Sequence, residues 1–497
     1  MYRKVDSVPT EPENFQLPFE EKLSQDNRWV IMSKLIPWEE FEEEYAKNFA
    51  VDIGAPALPF RMALGALIIK EKLGISDRET VEQIKENPYL QYFIGQNKYS
   101  NEPPFESSLL VRFRERIKVE LINQINEKMV CEALKKNENE LQKKNAEIAR
   151  KEKGECANKG KLLSDGTVVP GDIKYPNDLG LLNQARVASE EIIDYLYESV
   201  KGKANKKPKT YRNLARKNYL KVAKKQRPRK KERRKAIKKQ LQYIKRNLSS
   251  IEQLIQAGAT LEALSKRKYK SLLVIAEVYR QQKWMYDNKE QRIDNRIVNL
   301  SQPYIRPIVR GKAGTPVEFG AKLSVSCIDG YVFLDRISWE NFNESGDLQS
   351  QIEAFKARTG VYPESVHVDK IYRTRSNRAF CKEKGIRMSG PPLGRPPAHV
   401  SAEKKKQALE DERIRNTIEG KFGVSKRRFS LNRVMARLPH TSETAIAITF
   451  LVMNLSALLR QVFCLFLFLF TIKYFSGFNH DQTLSLRGNK AGNIYVY

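Results

Sequence analysis

Cysteine is scarce and scattered. Cys131, Cys156, Cys327, Cys381 and Cys464 form no C-x-x-C pair, which argues against a zinc ribbon or a disulfide framework and suits a reducing compartment. The four histidines (His367, His399, His440, His480) are too dispersed for a His-based metal site. Acid is in deficit: 59 Asp and Glu against 89 Lys and Arg leave a formal charge of +30. That excess calls for a polyanionic partner, either nucleic acid or an anionic membrane surface. A long hydrophobic run is missing too. The most apolar stretch, Val462 to Ile472, is 11 residues, short of the roughly 18–20 that a membrane span needs, and Arg460 and Gln461 bound it. It reads as a buried helix end or an interface element, with no membrane role. The charged N-terminus shows no signal-peptide pattern.

What is present is unevenly spread. At 497 residues the chain has room for roughly two to four domains and a large core. Residues 201–250 hold 22 Lys/Arg and one acid, with Tyr211, Leu214, Tyr219, Leu220 and Val222 interspersed, so the block reads as basic amphipathic helices that suit contact with a phosphate backbone.

In chain order, residues 1–18 read as irregular and 19–118 as short helices. Ser76-Asp-Arg-Glu79 is a capping box. Asn87-Pro88 ends that helix and opens another apolar segment, a pair open to two readings: a helix-turn-helix or a packing hairpin. Arg112, Arg114 and Arg116 follow on a further helix, suited either to phosphates or to a solvated face. A long helix spans 118–153, with Ile122, Ile125, Met129, Leu134, Leu141 and Ile148 as an imperfect apolar stripe. At Lys161–Pro170 the period becomes strand-like, followed by a helix over 183–201 and further helices over 231–300. Strand signals return at Val317–Ser326, the Asp329-Gly330 turn and Tyr331–Trp339. A helix (347–359), a strand (Ser365–Asp369), a helix (376–384), a strand (386–389), the Pro-rich loop 391–397 and a helix over 402–426 complete the pattern. With the helical insert removed, this is a mixed α/β order of five strands flanked by helices, that of an RNase H-like fold.

Two aspartates stand where ligand sites form in such sheets: Asp165 near the end of the first strand and Asp369 at the end of the fourth. The last helix supplies a third carboxylate. At about 100° per residue, Arg415, Glu419, Phe422 and Lys426 fall within about 60° of one another, so Glu419 lies between two cations on a partly apolar face. Converging carboxylates repel one another unless divalent metal joins them. Mg²⁺ and Mn²⁺ accept few carboxylates, waters and phosphate oxygens, and two such ions serve phosphodiester chemistry. Each aspartate also has a plainer reading, Asp165 as a turn former and Asp369 as a cap. Asp172, Asp178, Asp329, Asp335 and Glu383 remain alternatives. A ring of cations (Lys370, Arg373, Arg375, Arg415, Lys426, Arg427, Arg428) favours the trio.

The motifs Asp165-Gly-Thr with Tyr175 to Leu182, Val368-Asp-Lys-x-Tyr372 with Asn377-Arg378, and Arg415-x3-Glu419-x6-Lys426 resemble those of DDE transposases of bacterial insertion sequences, in the superfamily of the insertion-sequence-four and insertion-sequence-five groups. The last motif matches the Arg, Glu and Lys of a Tyr-Arg-Glu-Lys signature, with Glu412 where its Tyr would fall. The resemblance covers about 20–130 and 160–460. It implies that Asp165, Asp369 and Glu419 are catalytic and hold Mg²⁺ or Mn²⁺, two ions. It implies cleavage at terminal inverted repeats and 3′-hydroxyl strand transfer into target DNA. DNA contacts are then expected from Arg415, Lys426, Lys370, Arg373, Arg427, Arg428, Arg112 and Arg114. The expected organisation is an irregular 1–18, a helical N-terminal domain at 19–153 for end binding or dimerisation, a catalytic core of 160–184 and 306–461, a basic insert at 185–305, and an apolar helix end with tail at 462–497. The partners would be DNA and further copies of the chain, as a homodimer or higher synaptic assembly, in the bacterial cytoplasm at the nucleoid. A different class remains open: a transposase-derived DNA-binding protein, or an RNase H-like endonuclease without strand transfer.

Overall fold

A computed structural model of the chain describes residues 1–2, 11–18, 21–50, 56–146, 158–202, 206–309, 317–391 and 401–485, and for 137–146 and 465–485 the helical backbone alone. Ile148, Cys156, His399, most of the 391–397 loop and the tail beyond 485 lie outside the described residues.

Seven helices come first: α1 (Arg28–Leu35), α2 (Trp38–Ala46), α3 (Phe60–Leu73), α4 (Asp77–Glu86), α5 (Pro88–Phe93), α6 (Leu109–Arg116) and α7 (Val119–Ala146). Ser76 caps α4, its hydroxyl accepting the Glu79 N–H at 3.1 Å. Asn87 ends α4 and starts α5, accepting the Tyr89 N–H at 2.9 Å with Pro88 in the first turn. Leu90, Gln91, Tyr92 and Phe93 of α5 are buried. Of the two readings of this pair, the geometry is therefore that of a packing hairpin, since a recognition helix needs an open face.

The remaining elements are β1 (Lys161–Pro170), α8 (Asp178–Ser199), α9 (Arg212–Ala223), α10 (Lys230–Gln256), α11 (Lys266–Asn288), β2 (Arg306–Val309), β3 (Val317–Ile328), β4 (Tyr331–Ser338), α12 (Leu348–Thr359), β5 (Ser365–Val368), α13 (Arg375–Glu383), β6 (Arg387–Met388), α14 (Ala402–Arg428) and α15 (Pro439–Ser485). The sheet runs β2-β3-β1-β5-β6, with β4 also pairing β3. Strand β1 is antiparallel to β3 and parallel to β5, and β5 is parallel to β6. This is the expected mixed α/β architecture, with one strand more than the five anticipated. The extra strand, β2, is a four-residue edge piece containing Pro307, and a proline that cannot donate to the ladder hides an edge strand from sequence patterns. The β3–β4 hairpin turns at Asp329-Gly330, where both residues have positive φ (48° and 84°), the left-handed pair that a tight hairpin requires.

Helix α8 begins five residues earlier than its periodicity indicates, because the Asn177 side chain accepts the Gly180 N–H at 2.7 Å and caps it. Helices α8, α10 and α11 share a core of their own around Leu182, Ile193, Ile244, Leu254 and Ile275. The N-terminal helices have no such separation: Trp29, Leu64 and Phe113 belong to the same contiguous core as Leu162, Val325 and Leu451. Buried Asn454 of α15 joins that core through polar bonds. It accepts the Val332 N–H at 2.9 Å and donates to the Val332 carbonyl at 2.7 Å and to Asn126 of α7 at 2.9 Å. The segment Pro439–Cys464 of α15 is apolar and long enough to span a bilayer, but 67% of its most apolar window is buried in the protein.

The β1–β3 contact leaves no room at Gly320. A Cβ there would lie 1.9 Å from the Val169 carbonyl oxygen and 2.8 Å from the Pro170 Cα, both backbone atoms that cannot rotate away. Gly320→Ala is expected to destabilise the protein by at least about 1–3 kcal/mol, read as a lower urea midpoint at unchanged slope.

Candidate active site

Parallel pairing of β1 with β5 sets Ser164 beside Val368, so the next residues, Asp165 and Asp369, are adjacent. Asp369 follows the end of β5 as expected, whereas Asp165, expected near the end of its strand, is the fifth of the ten residues of β1. Leu162, Leu163 and Ser164, like all four residues of β5, are buried. The ladder is thus anchored in the core, and the carboxylates follow at its rim. Asp369 is exposed and caps a short turn, accepting the Lys370 N–H at 2.6 Å. Asp165 accepts the Gly166 N–H at 2.8 Å. The plainer role of cap is therefore present at Asp369, whereas Asp165 forms no turn because it and Gly166 lie in extended strand within β1; each leaves carboxylate oxygen over.

Helix α14 packs across β1 and β5. Ile418 and Phe422 are its buried side. Asp411 ties it to the sheet through Arg387 of β6, with bonds of 2.8 and 2.9 Å, and stands 3.6 Å from buried His367. Burial lowers the His367 pKa against the opposing pull of Asp411. Glu419 is exposed and bonded to Arg415 at 2.7 Å, and Arg415 also bonds Glu412 at 2.7 Å. Glu412, at the position expected for a tyrosine, therefore acts as a second acceptor for the same guanidinium.

Asp165 is the electrostatic centre of the group. Burial pushes its pKa up to about 6, and Glu344, Asp369 and Glu419 add to the rise against the Gly166 N–H. Among the described residues, no three His, Cys, Asp or Glu side chains lie close enough to enclose a metal ion. The donor chemistry nevertheless suits a hard divalent cation: a half-buried carboxylate, Asp165, with the carboxylates Glu344, Asp369 and Glu419 acting on it and oxygen as the available ligand. Nearby, the Tyr372 hydroxyl is buried without a partner.

The anticipated cations divide. Lys370, Arg427 and Arg428 are exposed. Arg373 is half-buried, donating to the Val368 carbonyl at 3.0 Å. Lys426 is half-buried on α14. Arg112 is exposed, but Arg114 is buried against Asp77 in a two-pronged ion pair, which takes it away from any phosphate, contrary to expectation. Its partner lies 37 residues back, too far for helix spacing to suggest. The alternative aspartates have other employment. Asp172 pairs with Arg433, and Asp178 with Arg296. Asp329 forms the hairpin turn. The bulged backbone at Asp335 is exposed while its carboxylate turns onto Ser326 and Gln351. Glu383 pairs with Lys384. The sequence reading missed Glu344, which lies beside Gly166 in an irregular segment that no periodicity marks.

Residues 366–456 match the family described as Transposase DDE domain, and residues 17–116 the Transposase domain (DUF772). The chain is also similar to a protein described as "Uncharacterized protein ORF8 in nfe locus" from Rhizobium meliloti, at 32% identity over 106 residues, 21% of this chain and 51% of that protein. The chain thus spans about half the length of this relative. No solved structure matches.

The raised Asp165 pKa has a consequence for stability. Its folded value of about 6 exceeds the ordinary 3.8, so the folded state binds the proton more tightly. The stability this brings is full below pH about 4 and lost as pH rises through about 6. In chelator, Asp165→Asn should therefore be more stable than wild type at pH 7.5, by up to roughly 3 kcal/mol, and the gain should vanish near pH 4 in urea titrations.

Proposed function

We propose that the chain, two segments of which match transposase domains, is a DDE transposase of a bacterial insertion sequence that cleaves DNA at the terminal inverted repeats of its element and joins the freed 3′-hydroxyl to target DNA. The observation that carries this reading is the adjacency of Asp165 and Asp369 across the β1–β5 pair, with α14 packed over the same two strands and bearing Glu419. These three carboxylates are the catalytic set. They would hold Mg²⁺ or Mn²⁺, two ions, which when bound supply Lewis acidity and charge neutralisation at the phosphate. Asp165 is fixed by the buried strand beneath it, Asp369 by its cap, and Glu419 by the Asp411–Arg387 anchor eight residues earlier on its helix.

Arg415, Lys426, Lys370, Arg373, Arg427 and Arg428 orient the DNA backbone around the site, and Arg112 contacts it from the N-terminal helices. The insert supplies further affinity. Its Lys and Arg serve phosphate contact without sequence choice, and Arg246 stacked between Tyr211 and Tyr243 (4.6 and 5.5 Å to the ring centroids) stiffens its basic surface. The protein acts as a homodimer or larger assembly that brings two ends together.

The test is incubation of the purified protein with DNA carrying the element's own ends, with Mg²⁺ or with chelator. Metal-dependent nicking at the ends followed by strand transfer is expected. Asp165→Asn, Asp369→Asn and Glu419→Gln, each alone, should reduce both steps to background while end binding in gel shift persists. Cleavage without transfer would favour a nuclease, and binding without cleavage a DNA-binding descendant. Cleavage that survives any of the three substitutions removes that residue from the catalytic set.

A further inference from the structure

We propose that Glu344 is a fourth carboxylate of this centre and shares with Asp165 the binding of one divalent cation; this rests on the reading of Asp165, Asp369 and Glu419 given above. Glu344 opens the short turn Glu344–Asp347 that leads into α12, and Asn343 fixes the turn by accepting the Ser345 N–H at 3.1 Å. Its carboxylate lies flat against the backbone of Gly166, the residue after Asp165. A Cβ built on Gly166 would come within 2.7 Å of Glu344 Oε2 and 3.2 Å of Oε1. Gly166 thus leaves the space that Glu344 occupies, and among the charges acting on Asp165, Glu344 ranks ahead of Asp369 and Glu419.

A second observation points to a ligand there. The Tyr372 side chain is completely buried and its hydroxyl has no hydrogen-bond partner. Asn377 donates to both the Ser345 carbonyl at 2.8 Å and the Tyr372 carbonyl at 2.9 Å, which sets Tyr372 beside the Glu344–Asp347 turn. A buried orphan hydroxyl beside this acidic turn fits a hydrated cation, whose water would satisfy it. The alternative is a purely structural Glu344, since Lys322 pairs with it at 2.6 Å and both side chains are largely enclosed. Lys322, however, has other support: it donates to the Phe342 carbonyl at 2.6 Å and lies over the Phe342 ring at 5.1 Å. It can hold its loop when Glu344 turns to a cation.

The two roles separate in a Mn²⁺ titration of the full-length protein, read by the electron paramagnetic resonance signal of free Mn²⁺, with a thermal melt of each variant in chelator. Glu344→Gln should weaken Mn²⁺ binding by about 10- to 100-fold. Gly166→Ala, which displaces Glu344 without removing it, should do the same, and Glu344→Asp should restore part of the loss. Lys322→Met should lower the melting temperature in chelator yet leave Mn²⁺ binding near wild type. The proposal is overturned if the Glu344→Gln curve superimposes on that of wild type, or if Lys322→Met loses as much Mn²⁺ affinity as Glu344→Gln. If Asp165→Asn weakens Mn²⁺ binding while Glu344→Gln does not, the proposal fails and the three-carboxylate reading stands. If Asp165→Asn also binds like wild type, the three-carboxylate reading fails as well.

Discussion

The register of β1 against β5 is the constraint on which the rest depends. Only Lys161 to Ser164 pair with Ser365 to Val368, and this short ladder decides that Asp165 and Asp369 emerge side by side. A slip of one residue would turn each buried side chain to the opposite face and pull the aspartates out of step. The ladder is tied at both ends. Upstream, the Lys159 N–H donates to the Tyr362 carbonyl and the Glu364 N–H to the Gly160 carbonyl, both at 2.9 Å. Downstream, the Arg373 guanidinium donates to the Val368 carbonyl at 3.0 Å. On the other side of β1, nine residue pairs with β3 and the close approach at Gly320 fix the strand.

Helix α14 adds the third side under looser control. Its first half is held by Asp411 on Arg387, and its middle by Ile418 and Phe422 in the core. Glu419 lies on the exposed side with Arg415 as partner. An exposed ion pair of this kind contributes little, at most about 1 kcal/mol, so Glu419 can exchange it for another ligand at small cost. Glu412 keeps a grip on the guanidinium when that happens. This gives the acid at the tyrosine position a physical role: it holds the Arg415 guanidinium beside Glu419.

How much of this was legible in the residues follows from the range of each signal. Strand β1, the Asp329-Gly330 hairpin, the Ser76 cap and α14 rest on local periodicity or turn chemistry, and the structure has them within a few residues of the expected bounds. Asp165, Asp369 and Glu419 were singled out by position in that order of elements and by the motif resemblance. Glu344 was out of reach because its proximity to Asp165 is created by folding: it sits in the loop Asn343-Glu-Ser-Gly-Asp347, with no period and 178 positions from Gly166. Arg114 failed for a related reason, since nothing in the sequence pairs it with Asp77. Strand β2 and the start of α8 were hidden by residues that usually break such elements, Pro307 and Gly180.

The distribution of charge then explains how a strongly basic chain keeps an acidic centre. The insert leaves the core just beyond β1, where Gly171 bridges Val434 and the Asp172 N–H bonds the Val434 carbonyl at 3.0 Å. It folds on its own apolar core, so its charge does not pass through the β1–β5 ladder. Between solvent-exposed groups, charge is screened beyond about 8–10 Å at moderate salt. A basic surface beyond that range can attract polyanion without neutralising Asp165 in mid-β1 or Asp369 after β5. Burial, with Glu344, Asp369 and Glu419 adding to it, raises the pKa of Asp165. A basic surface suited to polyanion and an acidic centre are therefore compatible in one chain because separate elements carry them.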